Sequence, residues 1–369
     1  MVRARGRGAA VPLYALLFAD AGMSGSQISA LFIIWSVVAV VAEVPSGALA
    51  DRYSRRVALV GAGVLQALAY ALWITVPSFA GFAAGFVLWG VGGSLATGAF
   101  QALLHDGLTH AGARQRYGAV LGRAEAASLA IQVPVAGAAS ALAAVGGYTL
   151  AGWVSVGTCL GAAALAASLP DHRVAAGDDG EAEPGYLATL VAGVREAAGA
   201  APVRGAVLAI AVLTAFEGLE EYSPLLAEDW GVPVGAIPLA LLAVPLAGAA
   251  GSALAGRVTG AGTAALTAAL GVAALALGAA AVLGRPAGIA GFALFYGLWR
   301  MVLVVADVRL QERITGPSRA TVTSVAGLGS ELSVVLLFGA WAAGGIVVAT
   351  VLALVTAATV PRLLRRAGR

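Results

Sequence analysis

Residues 43–56 read EVPSGALADRYSRR, and a long apolar run stands on either side of them. The run that follows, residues 57–76, is VALVGAGVLQALAYALWITV. One aspartate and three arginines gathered between two such runs mark a short polar connection between two spans of a bilayer. The whole composition points the same way. Hydrophobic residues make up 60% of the chain and charged residues 11%, against about 25% charged in an ordinary soluble domain. A soluble globule of 369 residues has no interior large enough for that much apolar surface, so the solvent is lipid. The net charge of +3 and the pI near 9.3 do not indicate nucleic acid, because the arginines form no patch and no binding motif surrounds them. All 22 basic residues are arginine, which reads as compositional bias. Cys159 is the only cysteine, which excludes an internal disulfide and a cysteine metal site.

A spanning helix takes about 20 mostly apolar residues. Eleven segments qualify, near 28–50, 57–77, 80–104, 117–144, 148–169, 203–226, 236–256, 262–283, 287–308, 319–340 and 343–361. A twelfth, at the N-terminus, is short: GAAVPLYALLFA, between Arg7 and Asp20, covers about 18 Å as helix against a hydrocarbon core of about 30 Å. Either Arg3, Arg5 and Arg7 snorkel at the membrane face or the natural chain starts further upstream, and the second is the expectation. A cleaved secretory signal is not expected, because no small-residue cleavage site precedes a mature soluble domain.

The arginines fall in alternate connections. Arg52, Arg55 and Arg56 follow helix 2, Arg114 and Arg116 follow helix 4, Arg257 follows helix 8, and Arg362, Arg365, Arg366 and Arg369 end the chain, while the opposite loops hold only Arg285. The excess of arginine puts these connections and both termini in the cytoplasm. Residues 170–200 are acidic and contain Pro and Gly, so they read as a cytoplasmic linker between two six-helix halves, 1–169 and 201–369. The halves echo each other. SGALADR at 46–52 aligns with GSALAGR at 251–257, and GFVLWG at 85–90 with GFALFY at 291–296. Parallel six-helix repeats with a site between them are a transporter plan.

The stretch first quoted resembles the signature that the major facilitator superfamily carries between helices 2 and 3, roughly G-x-L-A-D-R-x-G-R-R/K. Here it is Gly47, Leu49, Asp51, Arg52, Arg55 and Arg56, with Ser54 where the family has glycine. The resemblance implies an all-α integral membrane fold of twelve spans, in two bundles related by a pseudo-twofold axis. It also implies an inner latch in which Asp51, Arg52 and Arg56 meet an acid at the end of helix 4, here Asp106. Arg55 is read as a charge that only sets topology. A second pattern, G-P-x-x-G-G on helix 5 of antiporter members, keeps Pro134 and Gly137 in VPVAGA.

Ionisable residues within spans are costly and ask for a role. Helix 7 reads AVLTAFEGLEEYSPLL, and on an α-helix Glu217, Glu220 and Glu221 share one face. Three carboxylates on one stripe cannot all stay ionised cheaply, which suits a proton-coupling site. Glu217 is the deepest of them, and Glu331 on helix 11 lies at similar depth. Arg300 near the middle of helix 10 calls for an acid. Glu331 would make a structural pair with it and Glu217 a functional one. Arg123 is expected in the inner charge cluster, and Glu43 as a buried structural or gating acid. Trp89 and Tyr296, at near-equivalent places on helices 4 and 10, offer aromatic surface to a cavity.

With no lysine the P-loop chemistry of ATP hydrolysis is excluded. His105, His110 and His172 are read as loop residues without metal-ligand spacing, and neither a cofactor nor a metal is expected. The sequence therefore reads as a monomeric secondary transporter of the plasma membrane rather than an enzyme. Its partners would be a small organic or amphipathic compound, protons and membrane lipid. Proton-driven export leads, with uptake by symport or facilitated diffusion and a non-transporting sensor or membrane-embedded enzyme as alternatives.

Overall fold

The computed structural model describes residues 13–52, 54–170, 201–314 and 319–365. All regular structure among them is helical. Among the described residues nine helical stretches are long and apolar enough to cross a membrane, and the eleven apolar segments read from the sequence fall on these nine. Two of the nine hold two segments each. The helix α6, Gln132–Ser168, breaks at Gly146–Gly147, and the last helix, Arg319–Leu363, breaks at Gly344–Gly345. Both breaks use the same device. The second glycine has positive φ (60° at Gly147 and 57° at Gly345), which a side chain would strain. A Cβ on the first would press into the side chain four residues on, Leu150 in one case and Val348 in the other. The short first helix, α1, is described over Tyr14–Asp20 only, too few residues to span. The linker at 171–200 lies outside the described residues.

Contacts divide the chain into two compact units. One is Met1–Gly180 with Val234–Leu239, and the other Glu181–Pro233 with Ala240–Arg369. In the first, α2 (Gly25–Arg52), α3 (Arg55–Thr75) and α4 (Phe79–His110) pack around aromatic rings. Trp73 lies at the centre of this cluster, within ring contact of Tyr14, Phe18, Tyr70, Phe86 and Trp89. Its indole N–H donates to the Phe82 carbonyl at 3.1 Å, and Gly85 leaves room for the ring, since a Cβ there would collide with it. The helix α5 (Tyr117–Ala130) ends just before Pro134, which sits in the first turn of α6 where its missing N–H is tolerated. Ser54, the departure from the signature, caps α3: its hydroxyl accepts the Val57 amide at 3.1 Å. A glycine there would lack this acceptor.

The second unit contains α7 (Ala201–Ala215), a 3-10 segment at Phe216–Tyr222, α8 (Ser223–Asp229), α10 (Ala243–Val258), α11 (Thr263–Leu283), α12 (Gly288–Arg313) and α13 (Arg319–Leu363). The one-turn α9 (Ile237–Ala240) begins within the segment grouped with the first unit. One end of this unit is tied together by two arginines. Arg309, 3% exposed, donates to the carbonyls of Leu364 at 2.8 Å, Thr259 at 3.2 Å and Ala261 at 2.5 Å. Arg313 donates to Pro202 at 2.7 Å, Leu363 at 3.2 Å and Arg365 at 2.7 Å. Apart from Pro202 at the start of α7, these carbonyls lie at or just beyond helix C-terminal ends, where ladder donors run out and the dipole favours a cation. The planar fork of Arg309 joins three carbonyls on two backbone segments, 259–261 and 364, a geometry the point charge of a lysine does not match. Arg309→Lys is therefore expected to lower stability by about 2–4 kcal/mol, read as a fall in the thermal midpoint of the purified protein. An unchanged midpoint would show that the clamp is dispensable.

Candidate functional site

The acids of the seventh apolar segment do not lie on an α-helix. Phe216–Tyr222 is a seven-residue 3-10 segment between α7 and α8, longer than the three or four residues usual for this form. This corrects the single stripe read from an α-helical repeat. At 3.0 residues per turn, residues three apart eclipse, so Glu217 and Glu220 share a face and Glu221 turns about 120° away from it.

That face meets α12. Glu217 Oε1 is ion-paired with Arg300 Nη1, the two side chains being 30% and 18% exposed. Tyr296 donates its hydroxyl to Glu220 Oε2 at 3.0 Å. The two contacts run antiparallel and in register for a simple reason. Three residues of 3-10 helix rise about 6 Å, and so do the four residues of α-helix from Tyr296 to Arg300. An α-helical seventh segment would rise only about 4.5 Å over the same three residues, so the match in rise would be looser.

The surroundings hold this geometry. Trp299 donates its indole N–H to the Leu213 carbonyl at 2.9 Å, in the last turn of α7 where the α ladder gives way. Its ring packs on Phe216 at 4.2 Å between centroids. Gly218 admits the Phe338 ring from α13, since a Cβ there would stand 2.9 Å from Phe338 Cε1. Tyr222 stacks on Trp341 at 4.1 Å. Behind α12, α10 approaches backbone to backbone. A Cβ on Gly251 would overlap the Gly297 carbonyl, one on Gly297 would come within 2.8 Å of the Ala247 carbonyl, and one on Gly248 within 2.7 Å of the Tyr296 ring. Three glycines thus press Tyr296 and Arg300 toward the carboxylates.

Of the residues proposed from sequence, Glu217, Glu220, Arg300 and Tyr296 come together in this way. Glu221 is half-buried on the same segment and Glu331 is half-buried on α13. Trp89 belongs to the aromatic cluster of the first unit, beside Tyr70 at 4.9 Å. Glu43 is exposed, not buried. The buried side chains described on α2, Ile28, Ser29, Leu31, Phe32 and Ser36, all precede Glu43 in its first half. Arg123 is likewise exposed on α5.

At the connection between α2 and α3 the backbone of Gly47, Asp51 and Arg52 is helical, and the side chains of Asp51 and Arg52 are not described. Asp106, 7% exposed, is ion-paired with Arg55, the residue read as setting topology alone. Arg55 also donates to the Ala102 carbonyl at 3.1 Å. Arg56, expected at Asp106, donates instead to the Leu169 carbonyl at 3.5 Å. The physical reason is that Arg55 opens α3 directly beside the end of α4, a placement the linear motif does not specify. That end runs to His110, so His105 and His110 are helical and not loop residues, and His105 Nδ1 lies 3.3 Å from Asp106 Oδ1. Among the described residues no group of acidic, histidine and cysteine side chains could hold a metal ion.

The nine long apolar helices among the described residues, two of them broken at Gly-Gly pairs, describe a multi-pass membrane protein. The chain belongs to the Major Facilitator Superfamily, whose sequence profile matches residues 2–349. Two curated relatives from Mycobacterium tuberculosis, described as uncharacterized MFS-type transporters MT2531 (strain CDC 1551 / Oshkosh) and Rv2456c (strain ATCC 25618 / H37Rv), are each 33% identical over 186 residues. That match takes in 48% of this chain and spans 43% of the relatives' own length. Among solved structures, a bacterial homolog of the human lysosomal transporter Spinster superposes with a TM-score of 0.74 at 15% identity, over 98% of this chain and 95% of its own. A D-xylose–proton symporter gives 0.68 at 15%, over 96% and 92%. A bacterial homologue of the iron transporter ferroportin gives 0.64 at 17%, over 97% and 94%. At these identities the likeness is one of fold.

Proposed function

We propose that this chain is a proton-coupled secondary transporter that exports a small organic or amphipathic compound across the plasma membrane by alternating access. In this reading it is a monomer of twelve spans, with six-helix halves at 1–169 and 201–369 joined by a cytoplasmic linker, and both termini are cytoplasmic. The observation that carries the reading is the pair of carboxylates at Glu217 and Glu220, set on a 3-10 segment inside a membrane span and matched in register to Arg300 and Tyr296. Charged groups persist at such depth where they line an ion or substrate path. The Arg55–Asp106 pair serves as a latch, since a partly desolvated ion pair that exists in one conformation biases a two-state equilibrium. The signature at 47–56 and the acids of the seventh apolar segment support export over uptake, and the partial helix 5 pattern at Pro134 and Gly137 adds a little to it.

The test begins with a strain lacking the chain, profiled for susceptibility against a panel of organic compounds. Compounds to which it becomes sensitive are then assayed in proteoliposomes with an imposed pH gradient. Antiport requires compound and protons to move in opposite directions. Flux indifferent to the gradient rules out coupling, and flux along with the protons makes the chain a symporter.

A further inference from the structure

Several arginines at helix ends are held by the chain itself. Arg55 pairs with Asp106, Arg56 donates to the Leu169 carbonyl, and Arg309 and Arg313 donate to backbone carbonyls. The connection between α4 and α5 is different. The stretch 107–124 carries Arg114, Arg116 and Arg123 and no acid. Arg114 and Arg116 lie on a single 3-10 turn that leads into α5. All three arginines are exposed, and among the described residues no ion pair or side-chain hydrogen bond engages them. The flanking acids do not answer this charge. Asp106 is ion-paired with Arg55, and Glu125 stands two residues from Arg123, a spacing at which helix residues do not face each other.

The level in the bilayer supplies the missing anion. From Tyr117 the helical run continues through α5 and the first part of α6 to the break at Gly146, a rise of about 43 Å against a hydrocarbon core of about 30 Å. Centred in the bilayer, the run leaves about 6 Å outside the core at each end. Arg123, about 9 Å from the start of α5, then lies just inside the hydrocarbon edge, with Arg114 and Arg116 in the headgroup layer. Arg116 and Arg123 are two helical turns apart and share a face to within about 20°, so they bracket the level of the lipid phosphates. Their long arms reach such a phosphate from both sides, the deeper one by snorkelling outward. No side chain described on α5 is buried, so this helix draws little anchorage from its own unit.

We propose that this face of the 3-10 turn and α5 binds the phosphate of an anionic phospholipid, gripped by Arg116 and Arg123 with Arg114 beside them, and that the lipid anchors α5. A zwitterionic headgroup carries its own cation, which competes with the guanidinium groups for the phosphate, whereas phosphatidylglycerol carries none. The site is independent of what the chain transports.

The test reads the lipid locally. The lone cysteine is removed by Cys159→Ala, and a fluorophore is attached at Ala127→Cys, exposed on the face of Arg123 and one turn deeper. The purified full chain is placed in phosphatidylcholine vesicles with about one lipid in five replaced by phosphatidylglycerol, and bromine is carried on the acyl chains of one lipid or the other. Bromine quenches only on contact, so the two quenching levels give the preference at this spot. Phosphatidylglycerol should be favoured by about tenfold or more, since each arginine near the surface contributes about fivefold. Arg116→Gln with Arg123→Gln should bring the two lipids to parity, whereas Arg365→Gln, at an exposed arginine near the end of the chain, should leave the preference unchanged. Parity in the chain with its arginines intact, or a preference that survives the double variant, overturns the proposal. Loss of the preference on adding millimolar inorganic phosphate at constant ionic strength would mark a site for a soluble anion and overturn the lipid assignment as well.

Discussion

Gly251→Leu is expected to leave little folded protein, and Gly251→Ala to lower the thermal midpoint markedly. A Cβ at this position would occupy the space of the Gly297 carbonyl, and the obstacle is backbone, which cannot rotate aside. Two effects oppose each other in the alanine variant. Alanine gains about 1 kcal/mol of helix propensity over glycine, whereas overpacking costs about 1–3 kcal/mol even where the neighbours are side chains. The clash should win by a clear margin, and α10 should be pushed off α12. Gly256 on the same helix supplies the control, since a Cβ there meets nothing within 4 Å. Gly256→Ala should be neutral or stabilise by a few tenths to about 1 kcal/mol. Thermal unfolding of the purified variants, followed by tryptophan fluorescence, separates the two. Equal midpoints for Gly251→Ala and Gly256→Ala would show that the helix crossing is looser than described. The same displacement should reach the site, because Gly248, Gly251 and Gly297 set how closely Tyr296 and Arg300 approach the acids.

Arg300→Gln should abolish transport and destabilise the chain by about 2–3 kcal/mol, somewhat less than for a fully buried pair because both side chains retain some exposure. Glu217 then stands as an uncompensated carboxylate. Adding Glu217→Gln should restore most of the lost stability, so the two substitutions are strongly non-additive in a double-mutant cycle. Transport should stay low in the double variant, since the charged pair that the proposed path uses is gone. Additive losses of stability would mean that Arg300 relies on another acid, with Glu331 as the next to test.

Much of this protein is legible in one dimension, because lipid imposes a simple rule. A segment that crosses hydrocarbon must satisfy its own backbone and stay apolar for about 20 residues. That rule locates the apolar segments, and the two Gly-Gly pairs at 146–147 and 344–345 fall at or just beyond the gaps left between segments. Those pairs are also a repeat signal that the comparison of SGALADR with GSALAGR did not use. The resemblance at 47–56 supplied the family, which the profile match to residues 2–349 shows.

The candidate site was only half legible. Polar residues at apolar depth stand out by type, so Glu217, Glu220 and Arg300 could be named from the string of letters. Which of them meet depends on helix pitch. The sequence FEGLEEY is compatible with an α-helix, and it is Trp299 on the last turn of α7, Phe338 against Gly218 and Trp341 on Tyr222 that favour 3-10 spacing. The Arg55–Asp106 pair shows the same limit. Motif order says that arginines and an acid converge, but only the start of α3 beside the end of α4 decides which arginine arrives.

By itself, then, the sequence determined that the chain lives in a bilayer, where its spans lie and which of its residues are too polar for their depth. Those properties are sums over local stretches, and each residue contributes to them through its own transfer energy. The tertiary structure alone decided that Glu217 faces a cation and Glu220 a hydroxyl. The 3-10 segment rises about 1.5 Å more than an α-helix over three residues, close to the spacing of Tyr296 and Arg300 on α12, and neither that pitch nor the neighbours packed on it is written in the local sequence.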